Sequence, residues 1–205
     1  AGAVLVDIEF EPNEQMYADS FAVLMFELRE EMGKYLASLP GETMPRSLAD
    51  LIAFNNAHRD SEMPHFGQEI FEMAQKTGGV DDPAYAAARA KSKQLATHAI
   101  DTMLREADAA MLVEPTYGMA WLSDTIYGDQ FSGPSASDLP AISGYPHLTV
   151  PMGAVEDLPV GLSFFGGKWK DFEVLQLGAA YEAVRSAQLA EPDFKRWQPA
   201  PRSGK

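Results

Sequence analysis

Apolar positions recur at two periods along this chain, and the changes between them mark its elements. Val4 to Phe10 (VLVDIEF) reads as a strand. Pro12-Asn13 then opens a long helix, with Asn13 as N-cap and Glu14 in the first turn. Tyr17, Phe21, Leu24, Leu28, Met32, Tyr35 and Leu39 follow at spacings of three or four, predicting one buried stripe that Pro40-Gly41 ends. Ser47-Leu48-Ala49-Asp50 has the form of a capping box and predicts a short helix carrying Leu48, Leu51 and Ile52. A further helix is predicted over 66–76, closed by Gly78-Gly79. Asp82-Pro83, an N-cap followed by proline, predicts another through Tyr85, Leu95, Ile100 and Leu104 to Ala107.

Beyond residue 108 the period shortens. Ala109 to Val113 is a short apolar run that predicts a buried strand. From Tyr117 to Ser137 the chain is rich in Gly, Ser, Asp and aromatics without a period, a loop long enough to suggest function. Leu148-Thr149-Val150 predicts a strand stopped by Pro151. Val160, Leu162 and Phe164 alternate with Gly161, Ser163 and Phe165, predicting a second strand and hence a hairpin. The last helix starts near Asp171, with Phe172, Leu175, Ala179, Ala183 and Ala187 as its expected inner face. Strands alternating with helices predict an α/β layer architecture. It divides into a strand region (1–12), a mainly helical region (13–107), a core of strand, hairpin and helix (108–190) and a peripheral tail (191–205).

Composition narrows the function classes. The 205 residues can bury one sizeable core or two small ones. Asp and Glu outnumber Lys and Arg 30 to 16, and the net charge of -14 repels a phosphate backbone or an anionic membrane surface. Nucleic acid and membrane are therefore not expected partners. Cysteine is absent, which excludes disulfides, thiolate nucleophiles and Cys-ligated zinc. His58 and His65 with Glu62 and Glu69 could share a helical face, but Pro64 interrupts it and no His-Glu-x-x-His motif exists, so no metal is expected. The nucleotide-cradling glycine loops are missing too, and no cofactor is expected. Met25, Met32 and Met103 read as core filling.

The wording of residues 144–167 carries more than its period. Gly-Tyr-Pro, Thr-Val-Pro-x-Gly, Leu-Pro-Val-Gly-Leu and Phe-Phe-Gly, in this order, resemble the C-terminal end of the amidase signature family. The resemblance is weaker but continuous back to about residue 45 and is nearest to the peptide-amidase-like branch. It implies a mixed, twisted β-sheet flanked by helices and a serine hydrolase that cleaves carboxamides with a Ser–cis-Ser–Lys triad. The family's Gly/Ser-rich stretch and upstream Lys are not found in this chain, so no catalytic residue is assigned. No Gly-x-Ser-x-Gly elbow is present, and Gly144 and Pro146 argue against Ser143 and His147 sharing one helix.

The expected role is that of the C-terminal part of an amide hydrolase, inactive alone, with the N-terminal half of the same protein as partner. The opening strand without a starting Met is read as the middle of a longer enzyme, and a cytoplasmic location is the default expectation. Residues after the strand at 109–113 should face any pocket, because ligands in open α/β sheets lie beyond the strands' carboxyl ends. That nominates Thr116, Tyr117 and Trp121, and the resemblance implies a cleft-lining Pro-Thr there. Glu114 stands where the family usually has a small residue. Ser135 and Ser137, in a Ser-rich run (132–137), are candidates for substrate binding or helix capping. The aromatics Tyr117, Trp121, Tyr127 and Phe131 suit a hydrophobic or peptide-like acyl group, and a small-molecule amide or peptide amide is the expected substrate of the full enzyme. Two alternatives stay open: a non-catalytic scaffold keeping half of the fold, and an amidotransferase component of the same family. An exposed strand edge predicts self-association, a homodimer included.

Overall fold

The computed structural model describes residues 2–41, 44–131, 133–187 and 189. Helix α1 (Glu14–Ser38) starts where Asn13 Oδ1 accepts the Met16 N–H at 2.9 Å. Its carboxyl end is held by the Arg46 guanidinium, which donates to the carbonyls of Leu36 and Leu39. Helix α2 (Leu48–Ala57) is capped by Ser47 Oγ, which accepts the Asp50 N–H at 3.1 Å. Two short helices follow, α3 (Arg59–Glu62) and α4 (Glu69–Gln75). Helix α5 (Pro83–Glu106) begins at Asp82, whose Oδ1 takes the Ala84 N–H at 2.9 Å. The N-caps predicted for α1, α2 and α5 are in place, because a cap is a contact within three residues.

Strand β1 (Leu112–Pro115), helix α6 (Asp138–Ser143), strands β2 (His147–Val155) and β3 (Leu158–Phe165) and helix α7 (Asp171–Val184) complete the chain. The sheet has the order β1-β3-β2 and is antiparallel throughout. The α/β class holds, and among the described residues the sheet is small and wholly antiparallel. The β2–β3 hairpin turns at Glu156-Asp157, with φ of 49° and 65°, the left-handed pair that a tight two-residue hairpin turn demands.

Four expectations are corrected. Residues 4–10 form no strand: Val4 and Leu5 are 88% and 81% exposed, and they line a cleft with Met111 and Leu112 without joining the ladder. A strand exists only where a partner takes its backbone groups, and none of the described residues does. Pro151 does not stop its strand: β2 is an edge strand with a register shift between Pro151 and Gly153, where a missing N–H is tolerated. On α1 the residues that go inward are Met16, Met25, Phe26 and Leu36, while Phe21, Leu24 and Tyr35 of the expected stripe are exposed. On α7 the inner face is Val174, Leu177, Gly178 and Tyr181; Phe172 and Leu175 are 72% and 58% exposed, and Ala187 lies past the helix end. Helix α6 was not anticipated at all. The peripheral tail from 191, like Ser132, lies outside the described residues.

Three apolar clusters hold these elements. Met16, Ala96, Ile100, Leu112, Leu139 and Phe165 join α1, α5 and α6 to one face of the sheet. Val150, Phe164 and Val174 seal α7 on the other face. There Gly178 lets the helix come close, since a Cβ at that position would collide with Leu148 Cδ2. A third cluster, Met25, Leu48 and Ala74, joins α1, α2 and α4.

Candidate functional site

Alternation along three antiparallel strands places Glu114, Ser163 and Thr149 in one cross-strand row, all on the face away from α7. Toward its Phe165 end that face is closed by α5 and α6. At its Gly161 end it is open among the described residues, and Thr149 is exposed there. Here Thr116, which follows β1, meets the other two strands. Its Oγ1 lies 2.5 Å from Thr149 Oγ1 and 2.8 Å from Ser163 Oγ, and Ser163 Oγ lies 2.7 Å from His147 Nε2. Ser163 is wholly buried, while Thr149 and His147 face solvent. Gly161 makes the meeting possible: a Cβ there would stand 2.6 Å from Thr149 Oγ1 and 2.9 Å from Thr116 Oγ1.

Beside this row lies an acidic hollow lined by Tyr17, Glu114, Ser135 and Asp138. Burial, and then the nearby Asp138, push the Glu114 carboxyl above the usual carboxylate range. Burial, Asp138 and Glu114 likewise raise the Tyr17 phenol. Partial burial of the imidazole lowers His147, so its neutral form is favoured.

The structure links four of the five nominated residues along the start and end of the long loop and leaves Ser137 without a side-chain cap bond. Thr116 is the centre of the hydroxyl row, and its carbonyl accepts the Ala136 N–H at 3.1 Å. Tyr117 and Ser135 pair as an isolated antiparallel bridge, which fastens the start of the long loop to its end. Trp121 joins through Phe131, whose ring centroid lies 5.1 Å from Tyr117 and 5.5 Å from Trp121. Tyr127 of the expected aromatic set is exposed. Ser135 Oγ donates to Asp138 Oδ2 at 3.4 Å, but Ser137, at the N-cap of α6, makes no side-chain cap bond. The capping role expected for Ser137 is not observed, because its backbone is helical (φ -83°, ψ -25°) rather than extended. Thr149 and Ser163 were missed, and His147, weighed with Ser143 near Asp138 and set aside as a base, was not expected to bond Ser163. The signal was the polar partner set of the alternating strands, which the apolar alternation overshadowed.

This arrangement can hold and orient a polar ligand at the open end of a sheet. It offers no solvent-exposed nucleophile paired with a base: Ser163 touches His147 but has no exposed surface.

Comparison with known proteins gives this geometry a context. A peptide amidase solved with the competitive inhibitor chymostatin superposes with a TM-score of 0.77 and 39% identity over 87% of this chain. The chain is a homologue of the amidase signature enzymes. The native peptide amidase of Stenotrophomonas maltophilia superposes with a TM-score of 0.72 at 38% identity, over 84% of this chain and 34% of its own. A probable amidase of Arabidopsis thaliana is 28% identical over 78% of this chain. A glutamyl-tRNA(Gln) amidotransferase component of Deinococcus radiodurans is 28% identical over 94%. No family model matches the chain. The chain spans 36% of the inhibitor-bound peptide amidase, 28% of the Arabidopsis amidase and 41% of the Deinococcus protein.

Proposed function

We propose that this chain is the C-terminal part of an amide hydrolase that acts on peptide amides. It supplies sheet strands, cover helices and one wall of the substrate pocket, while the Ser–cis-Ser–Lys triad resides in the preceding part of the enzyme. The observation that carries this reading is the 39% identity to a peptide amidase over 87% of the chain. Thr116, Tyr117, Trp121, Ser135 and Ser137 are the substrate-side residues in this reading. Thr116 and Tyr117 directly follow β1, and the aromatic group with Phe131 gives an apolar surface for a peptide side chain.

In the complete enzyme a serine oxygen bonds to the amide carbon, the C–N bond breaks, and ammonia leaves with a proton from the base. Water then releases the acid. This chain's residues orient the amide.

The amidotransferase relatives favour a second reading in which ammonia serves a charged tRNA. The amidotransferase relative that spans most of the chain is only 28% identical, and a net charge of -14 opposes tRNA contact. The test is ammonia release from a C-terminal peptide amide by the 205-residue chain alone and by the chain joined to a triad-bearing N-terminal part. Release is expected only from the joined form, blocked there by a serine-directed phosphonate. Phosphonate-sensitive turnover by the chain alone would refute the reading, and an inert joined form would favour the scaffold alternative.

A further inference from the structure

The row His147, Ser163, Thr116, Thr149 is a continuous chain of three hydrogen bonds with one exposed hydroxyl at its end. Counting its protons gives it a direction. Each hydroxyl has one proton to donate, and imidazole Nε2 can accept or donate according to whether it carries hydrogen. If Ser163 donates to Nε2, Thr116 must donate to Ser163 and Thr149 to Thr116. Every hydroxyl proton is then spent, and Thr149 offers only lone pairs outward. If Nε2 carries a proton, Ser163 accepts from it and its own proton is freed, so that all three bonds can reverse and Thr149 can become a donor.

The 2.7 Å separation of Nε2 and Ser163 Oγ sits at the short limit for an N–H donor and is ordinary for a hydroxyl donor. The carboxyls and phenol grouped on this face are Glu114 on β1, Asp138 on α6 and Tyr17 on α1, and they interact with one another. Burial is the cause that moves His147. The ring also packs edge-on against Phe165, at 6.0 Å between centroids.

We propose that His147, acting through Ser163 and Thr116, fixes the Thr149 hydroxyl as a hydrogen-bond acceptor that reads the N–H of a carboxamide. His147, Ser163 and Thr116 are positioning residues here, and Thr149 is the ligand contact. The choice of a carboxamide rests on the amide-hydrolase reading above. The direction of the relay does not.

The relay is read in the 205-residue chain by nitrogen-15 NMR of the imidazole and by the Thr149 methyl signal through a pH titration. The expected result is an Nδ1–H tautomer at neutral pH and a Thr149 shift with the same midpoint as His147. In His147→Asn the Thr149 step should vanish. An Nε2–H tautomer at neutral pH, or a Thr149 signal indifferent to His147, would overturn the relay. The ligand is then probed with N-acetyl-phenylalaninamide. Thr149→Val, at an exposed position, should weaken its binding about two- to tenfold, the worth of one neutral hydrogen bond. Acidification through the His147 midpoint should weaken it similarly. Binding unchanged by both would overturn Thr149 as the contact. No amide binding, with tautomer and linked titration as expected, would refute the carboxamide reading while leaving the relay supported.

Discussion

The two faces of one three-stranded sheet solve the burial problem in opposite ways. Under α7, Val150, Phe164 and Val174 exclude water, and Gly178 lets the helix settle against Leu148. On the reverse face, alternate residues of the same strands are Thr149, Ser163 and Glu114, and the Thr149 and Ser163 hydroxyls pair across the sheet through Thr116. No buried side-chain polar atom among the described residues lacks a partner. The first face gains stability from area removed from water. The second gains little net stability from its hydrogen bonds, because each replaces one to water. What it gains is orientation: a hydroxyl row held at fixed angles on a rigid scaffold, open at one end.

Substitutions can separate the two faces. Phe164→Ala should cost about 3–5 kcal/mol in urea unfolding, as a large aromatic lost from a sealed interface does. Gly161→Ala, which forces a Cβ against the Thr116 and Thr149 hydroxyls, should cost about 1–3 kcal/mol and break their bond. Ser163→Ala should cost about 1 kcal/mol, with the Thr149 signal uncoupled from His147. If Ser163→Ala proved as costly as Phe164→Ala, the polar face would be a structural core rather than an orienting surface.

Proton linkage separates the faces more finely. His147 has a lowered folded pKa, so the unfolded chain binds its proton more readily. Its contribution to stability is present above the ordinary imidazole value and is lost as pH falls from there to the depressed folded value. Glu114 is raised on folding, so its contribution is full below the ordinary carboxylate value and is lost as pH rises through the elevated one. His147→Asn should remove the first slope and Glu114→Gln the second, measured as urea midpoints across pH. The smallest effect belongs outside both faces: Phe172→Gln with Leu175→Gln, on the solvent side of α7, should change the chain's stability by no more than about 0.5 kcal/mol.

The same division governs what sequence reading could see. Asn13, Ser47 and Asp82 were legible as caps because each acts within three residues. The inner faces of α1 and α7 were not, because both helices carry apolar residues on more than one side and a distant neighbour chooses among them. Thr116 was legible from its place after a strand. Its partners Ser163 and Thr149 lie 47 and 33 residues away, and only the register of a central strand brings them together. The motif wording of 144–167 pointed to the family, yet the chemistry of His147 emerges only once β2 and β3 are paired.

The central claim is that the hydroxyl face, not the outer side of α7, is turned toward the triad-bearing part proposed above. Carbethoxylation of His147, with His58, His65 and His98 as internal references, would be followed in the chain alone and in the chain joined to its triad-bearing part. The account predicts that His147 reacts in the free chain and is protected on joining, while oxidative footprinting of Phe172 stays unchanged. Equal reactivity of His147 in both forms, with Phe172 newly protected, would contradict it.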